Sequence, residues 1–194
     1  MSSTDTLAPE HREQLLTLAR DSIREGFETG AAKPVGLEDW PASLQAQRAS
    51  FVTLHKPDDT LRGCMGAIEA YQPLLRDVSE HAYAAAFRDP RFPPLRAGEL
   101  NSIRLEISVL TAPEPMEIRS EEDLLNQIVP GEDGLILQEG THRSTFLPAV
   151  WSSLPRPAQF LRELKRKAGL GPDYWSPTLR VHRYRTEAFG EKTR

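Results

Sequence analysis

The chain has 194 residues, with 39% hydrophobic and 27% charged side chains and a net charge of -4. That size and balance describe a folded chain with one substantial core and exclude a disordered polymer. The acidic balance, with a pI near 5.8, argues against a protein built to grip nucleic acid or an anionic membrane. A single cysteine excludes an internal disulfide framework and points to a reducing compartment, the cytoplasm. No apolar run is long enough for a membrane span. The opening residues, with Asp5, Glu10, Glu13, Asp21 and Glu25, do not read as a secretory signal.

Residues Pro9 to Phe27 place Leu15, Leu18, Ala19, Ile23 and Phe27 at helical spacing, which predicts an amphipathic helix. Residues Gly30 to Pro41 read as a connector. Ser50 to His55 and Leu61 to Ile68 read as a hairpin around a Lys56-Pro57-Asp58-Asp59 turn. Gly63 and Gly66 inside its second strand are unusual, because glycine weakens a strand unless backbone must approach something closely. Pro73 opens a helix to Phe87, and the prolines from Asp89 to Pro94 forbid its continuation. Ile103, Leu105, Ile107 and Val109 alternate with polar neighbours and predict a strand over Ser102 to Leu110.

Ser120, with Asp123 three positions on, is an N-cap for a short helix to Ile128. Gly134 to Gln138 and His142 to Leu147 read as a second hairpin around Glu139-Gly140. Pro157 to Ala168 predicts a helix stopped by Gly169, and Thr178 to Phe189 a closing strand. The order implies an α+β fold with a largely antiparallel sheet flanked by helices. Leu61-Arg62-Gly63-Cys64 and His142-Arg143-Ser144-Thr145 align as echoes, which raises a duplicated hairpin-helix unit.

Chemistry has few places to sit. Cys64 is a candidate nucleophile if Arg62 or Arg143 supplies positive charge to its thiolate; otherwise it is a small core residue. Arg62, Arg91 and Arg143 lie in tightly turned contexts and can converge as a clamp on an anionic ligand. The alternative is that each pairs with a structural carboxylate such as Asp89 or Glu106. His11, His55, His81, His142 and His182 show no metal-ligand spacing, so no metal or cofactor is expected. His55 and His142 sit at strand ends, where either can meet Cys64. The cluster Arg162, Lys165, Arg166 and Lys167 reads as a solvated face on the last helix turns.

Leu61-Arg62-Gly63-Cys64-Met65-Gly66 resembles the Leu-Arg-Gly-Cys-Ile-Gly hallmark of AMMECR-type domains, called AmmeMemoRadiSam system protein A in microbes. The resemblance continues in register through Asp89-Pro90-Arg91-Phe92-Pro93-Pro94-Leu95 and Glu106 to Leu110. It extends through Gly134 to Leu137, Arg143-Ser144-Thr145-Phe146-Leu147-Pro148, and Phe160 to Trp175. It covers residues 9–189 as a single domain and leaves 1–8 and 190–194 as flexible ends. Asp133 and Ala149 depart from the His and Gln common in that family.

The resemblance implies two unequal subdomains with a cleft between them, and association with a Memo-type protein and a radical SAM protein. In the enzyme reading of the residues themselves, Cys64 is the candidate catalytic residue. Arg62, Gly63, Gly66, Arg91, Arg143 and Thr145 would bind a small anionic substrate, with backbone N–H groups near Gly63 and Gly66 stabilising negative charge. The function expected is a small-molecule enzyme or accessory enzyme subunit. Its alternative is a non-catalytic ligand- or partner-binding module in which Cys64 is structural.

Overall fold

A computed structural model describes residues 6–192, which divide into two compact units. The first holds the described residues through Leu110 together with those from Glu187 on; the second is Thr111–Thr186.

In the first unit, α1 (Pro9–Thr29) starts on a proline whose missing N–H costs nothing at that position. It stops at Gly30, whose φ of 72° is left-handed and whose N–H closes on Gly26 C=O at 3.1 Å. A single turn, α2 (Ala42–Gln45), leads into β1 (Ser50–His55) and β2 (Leu61–Gly66), and α3 (Leu74–Phe87) follows. After β3 (Arg104–Leu110), the sheet is completed from the far end of the chain by β8 (Thr186–Gly190), in the order β2-β1-β3-β8.

Val52 and Leu54 of β1 and Leu105, Ile107 and Val109 of β3 are buried. They share one core with Leu15, Leu18 and Ile23 of α1 and with Val78, Ala82 and Ala85 of α3. The fully buried Asp77 carboxylate fixes α3 to the start of β1. It accepts the Ser50 N–H at 2.8 Å and the Ser50 hydroxyl at 2.6 Å, and His81 Nδ1 lies 3.1 Å away.

The second unit carries β4 (Glu114–Pro115), α4 (Glu121–Gln127), β5 (Gly134–Glu139), β6 (His142–Phe146), α5 (Pro157–Lys167) and β7 (Arg180–Tyr184). Its sheet order is β4-β7-β5-β6. Ser120 caps α4 as expected, its hydroxyl accepting the Asp123 N–H at 3.1 Å. Gly169 ends α5 with φ 79°. Leu135, Leu137, Val181, Leu161 and Leu164 fill the core, where Trp151 and Phe160 stack at 3.8 Å.

The two sheets read alike. Each has the second hairpin strand at the edge, the first hairpin strand next, and then a strand that follows a helix. The echo reaches individual residues. Gly63 lies so close to α3 that a Cβ there would sit 2.2 Å from Ala85 C=O. The aligned Ser144 touches α5 at the matching place, its hydroxyl donating to Leu164 C=O at 2.7 Å.

Two expectations change. The closing strand over 178–189 is two strands that part at Arg185: β7 joins the second sheet and β8 the first. Its two-residue apolar spacing breaks after Val181, but pattern alone does not say which sheet a strand serves. The basic cluster on α5 is not one solvated face. Lys165 is fully buried, donating to Glu121 at 2.8 Å, and Lys167 donates to Thr145 C=O at 2.9 Å.

The boundaries at residues 9 and 189 also fall inside ordered structure. Leu7 is buried and its N–H reaches the Glu187 carboxylate at 3.0 Å, while Glu191 accepts the Leu105 N–H at 2.9 Å. Residues 1–5 and 193–194, the rest of the expected flexible ends, lie outside the described residues.

The helix contact at Gly63 predicts that Gly63→Ala destabilises the protein by about 3 kcal/mol in urea unfolding, since backbone cannot yield as a side chain does. Gly98→Ala, where no atom lies within 4 Å of the new methyl, is the control. It is expected to stay within about 0.5 kcal/mol of the native protein.

Candidate functional site

Cys64 lies on β2, an edge strand paired on one side only. Across the strand it faces Thr53, while its own N–H and C=O point away from β1 and need partners elsewhere. The segment after α3 supplies both. The Cys64 N–H donates to Asp89 Oδ2 at 2.8 Å, and Arg91 Nη2 donates to Cys64 C=O at 3.3 Å. Asp89 and Arg91 are joined to each other by a forked pair, Nε to Oδ1 at 2.9 Å and Nη2 to Oδ2 at 2.7 Å. The prolines around them forbid a helix here, so the two side chains present acceptor and donor much as a neighbouring strand does.

The Asp89 side chain is 2% exposed and that of Arg91 55%. The carboxylate is therefore the shielded partner. Arg91, assisted by the N–H groups of Cys64 and Arg91, holds the Asp89 carboxyl well below the ordinary carboxylate range.

The thiol moves the other way. Burial pushes the Cys64 thiol above its ordinary value of 9.0, opposed by the Thr53 hydroxyl, which donates to Sγ at 3.2 Å, and by Arg91. Within the first unit Arg91 is the cation that favours the thiolate, and Asp89 and Glu106 oppose it.

Arg62 belongs to an irregularity in the ladder. Leu54 pairs with Gly63 but His55 pairs with Leu61, which leaves Arg62 as the extra residue. Its buried guanidinium forks onto Glu99, Nε to Oε1 at 2.8 Å and Nη2 to Oε2 at 3.2 Å. That pairing lowers the Glu99 carboxyl to about 2. Arg62 and Arg91 are therefore each engaged by a carboxylate, as the structural alternative holds for Arg91 and Asp89. Glu106 lies 3.8 Å from His55 Nε2.

The glycines serve close approach. A Cβ on Gly66 would sit 2.4 Å from the Phe51 ring, which crosses the strand at that point.

Arg143 and Thr145 lie on β6 in the second unit. Arg143 is exposed. The Thr145 hydroxyl donates to Leu135 C=O at 2.8 Å and meets the Tyr184 hydroxyl at 3.0 Å, so it is part of the sheet's own bonding. His142 Nδ1 contacts Ala168 C=O at 2.9 Å and serves the end of α5.

Asp133, one of the two departures, is fully buried. It accepts the Val129 N–H at 2.9 Å and the Arg185 Nε at 3.3 Å, with Arg183 at 3.7 Å. Sequence reading did not assign it this anchoring role; two arginines arriving from β7 and the residue after it, about 50 positions on, carry no local signal. Ala149 is exposed in the turn before α5.

The AMMECR1 family model matches residues 16–189. A protein of Methanothermobacter thermautotrophicus is 41% identical over 180 residues, covering 91% of this chain and 92% of its own. A protein of Methanocaldococcus jannaschii is 38% identical over 168 residues, covering 83% and 82%. A crystal structure of an uncharacterized protein from Pyrococcus horikoshii superimposes with a TM-score of 0.80 at 36% identity, covering 93% of this chain and 91% of that one.

Because both carboxyls are lowered in the folded chain, they stabilise it above their unfolded values and lose that contribution as pH falls. For Glu99 the loss runs between 4.5 and about 2; for Asp89 it begins just below 3.8 and continues further into acid. Asp89→Asn is expected to lose about 2 kcal/mol at neutral pH in urea unfolding. Its acid-side decline should also be shallower than that of the native protein.

Proposed function

The chain belongs to the AMMECR1 family, and within it we propose that this protein acts as a cytoplasmic binding module whose braced Cys64 strand is a recognition edge. The observation that supports this reading is the clamp on Cys64. Both outward backbone groups of the residue are held by one ion pair, and its sulfur accepts a hydroxyl proton in half-buried surroundings. A nucleophilic cysteine needs its thiolate, which calls for unbalanced positive charge close by. Here the adjacent cation is already matched by Asp89, and burial favours the protonated thiol.

The module reading uses the same features without chemistry. A rigid edge, with Arg91 half-exposed beside it, presents fixed polar groups at no ordering cost on binding. In the setting that the family resemblance implies, the partner is a Memo-type protein, with a radical SAM protein acting in the same system. No helix among the described residues is long and apolar enough to cross a membrane.

One observation favours a second reading, cysteine-dependent conversion of a small anionic substrate. Arg62 Nη1 is buried without a hydrogen-bond partner among the described residues, and an anion is a natural acceptor for it.

Iodoacetamide labelling separates the two. With one cysteine in the chain, a single mass shift reports Cys64. The module reading predicts slow labelling of the native protein with a midpoint above 9.0. It also predicts that Cys64→Ala captures the Memo-type partner as well as the native protein does, whereas Arg91→Ala captures it less. Fast labelling with a midpoint below about 7 would overturn the reading in favour of the enzyme.

A further inference from the structure

The connector after α1 forms a wall. Both backbone groups of Lys33 are pinned by buried serines: its N–H donates to Ser22 Oγ at 3.1 Å, and Ser79 Oγ donates to its C=O at 2.7 Å. Arg76 Nε donates to Val35 C=O at 3.3 Å. Between this wall and α1 lies an open groove of about 520 Å³, within the size range of built ligand sites. Its lining includes the apolar Leu18, Val35 and Trp40.

The charge in this groove is one-sided. Glu10 and Glu13 line it, both exposed and one helical turn apart, and neither takes part in a hydrogen bond or ion pair among the described residues. The cation in the lining, Lys33, pairs with Asp21 at 3.2 Å, and Asp21 also holds Arg24 at 2.7 Å. Carboxylates above an apolar and aromatic floor complement a segment carrying both cationic and apolar side chains. The lining on α1 runs from Glu10 to Asp21. At the helical rise that is about 16 Å, the length of about five extended residues, longer than a single cation needs.

We propose that this groove docks a short peptide segment of another protein, carrying lysine or arginine alternating with apolar residues. The basic side chains reach Glu10 and Glu13, and an apolar or cationic side chain covers the Trp40 ring. The groove shares no residue with the Cys64 strand, so this proposal stands or falls separately from the reading above.

The test uses the full chain and a fluorescein-labelled pentapeptide of alternating lysine and leucine, followed by anisotropy. Saturable binding is expected, weakened by added salt and about tenfold or more by Glu10→Lys with Glu13→Lys. Trp40→Ala should weaken it too. Glu10 and Glu13 are exposed, so an unchanged thermal melt certifies the fold of the double variant. The proposal is overturned if the peptide does not bind the native chain or binds the double variant equally well. It is likewise overturned if a glutamate–leucine peptide binds as tightly, or if spermine displaces the probe at equal affinity, which would mark a site for small polycations.

Discussion

A carboxylate and a guanidinium take the place of a neighbouring strand in this fold. Asp89 accepts the outward N–H of Cys64 while Arg91 donates to the outward C=O, and the two are forked onto each other. An edge strand with a bare N–H and C=O invites another chain to pair with it. Here that position is closed by side chains two residues apart in sequence. The closure depends on α3 ending where it does, since Leu95 N–H returns to Ala86 C=O at 2.8 Å and holds the intervening turn in place. It depends equally on Gly63, which lets α3 approach the strand at Ala85. Edge, glycine, helix end and ion pair form one arrangement.

The second unit meets the same geometric demand with different chemistry. At the position aligned with Cys64, the edge carbonyl of Thr145 receives the Lys167 ammonium instead of a guanidinium. Where Gly63 makes room for a helix carbonyl, Ser144 bonds to one. The two sheets also share their strand order, with β8 and β4 in corresponding outer places. The short sequence echo of the two hairpins therefore has a counterpart in structure: each edge strand packs against the helix that follows it, and each has a cation on the same carbonyl. The differences matter for function, because only the first edge carries the cysteine and the buried Asp89.

Much of this was legible along the chain. Clean alternation marked β3, three- and four-residue spacing marked α1, and Ser120 and Gly169 marked helix ends through local chemistry. The family motifs marked Arg62, Cys64 and Arg91 together. What escaped was set by partners distant in sequence. Lys165 is buried because Glu121 waits 44 positions earlier, and nothing beside it on α5 signals that. The division at Arg185 escaped because the two strands follow each other with Arg185 alone between them, and the break in two-residue spacing after Val181 does not say that a second sheet begins. The extra residue at Arg62 escaped because register is a property of two strands. It turned an arginine expected beside the thiol into the partner of Glu99.

Function follows from where the charges are spent. An arginine matched by a buried carboxylate orients backbone and presents its remaining donors in fixed directions; it contributes little to stabilising a thiolate. That is why the clamp on Cys64 supports recognition over nucleophilic chemistry. The most direct measurement of that clamp is amide hydrogen exchange at Cys64, in the native chain and in Asp89→Ala, which removes both acceptor oxygens. Its N–H has Asp89, not a strand, as acceptor. The account predicts protection of the Cys64 amide in the native protein and its loss in the variant, with β1 and β3 amides still protected. Equal protection of Cys64 in both proteins would contradict it.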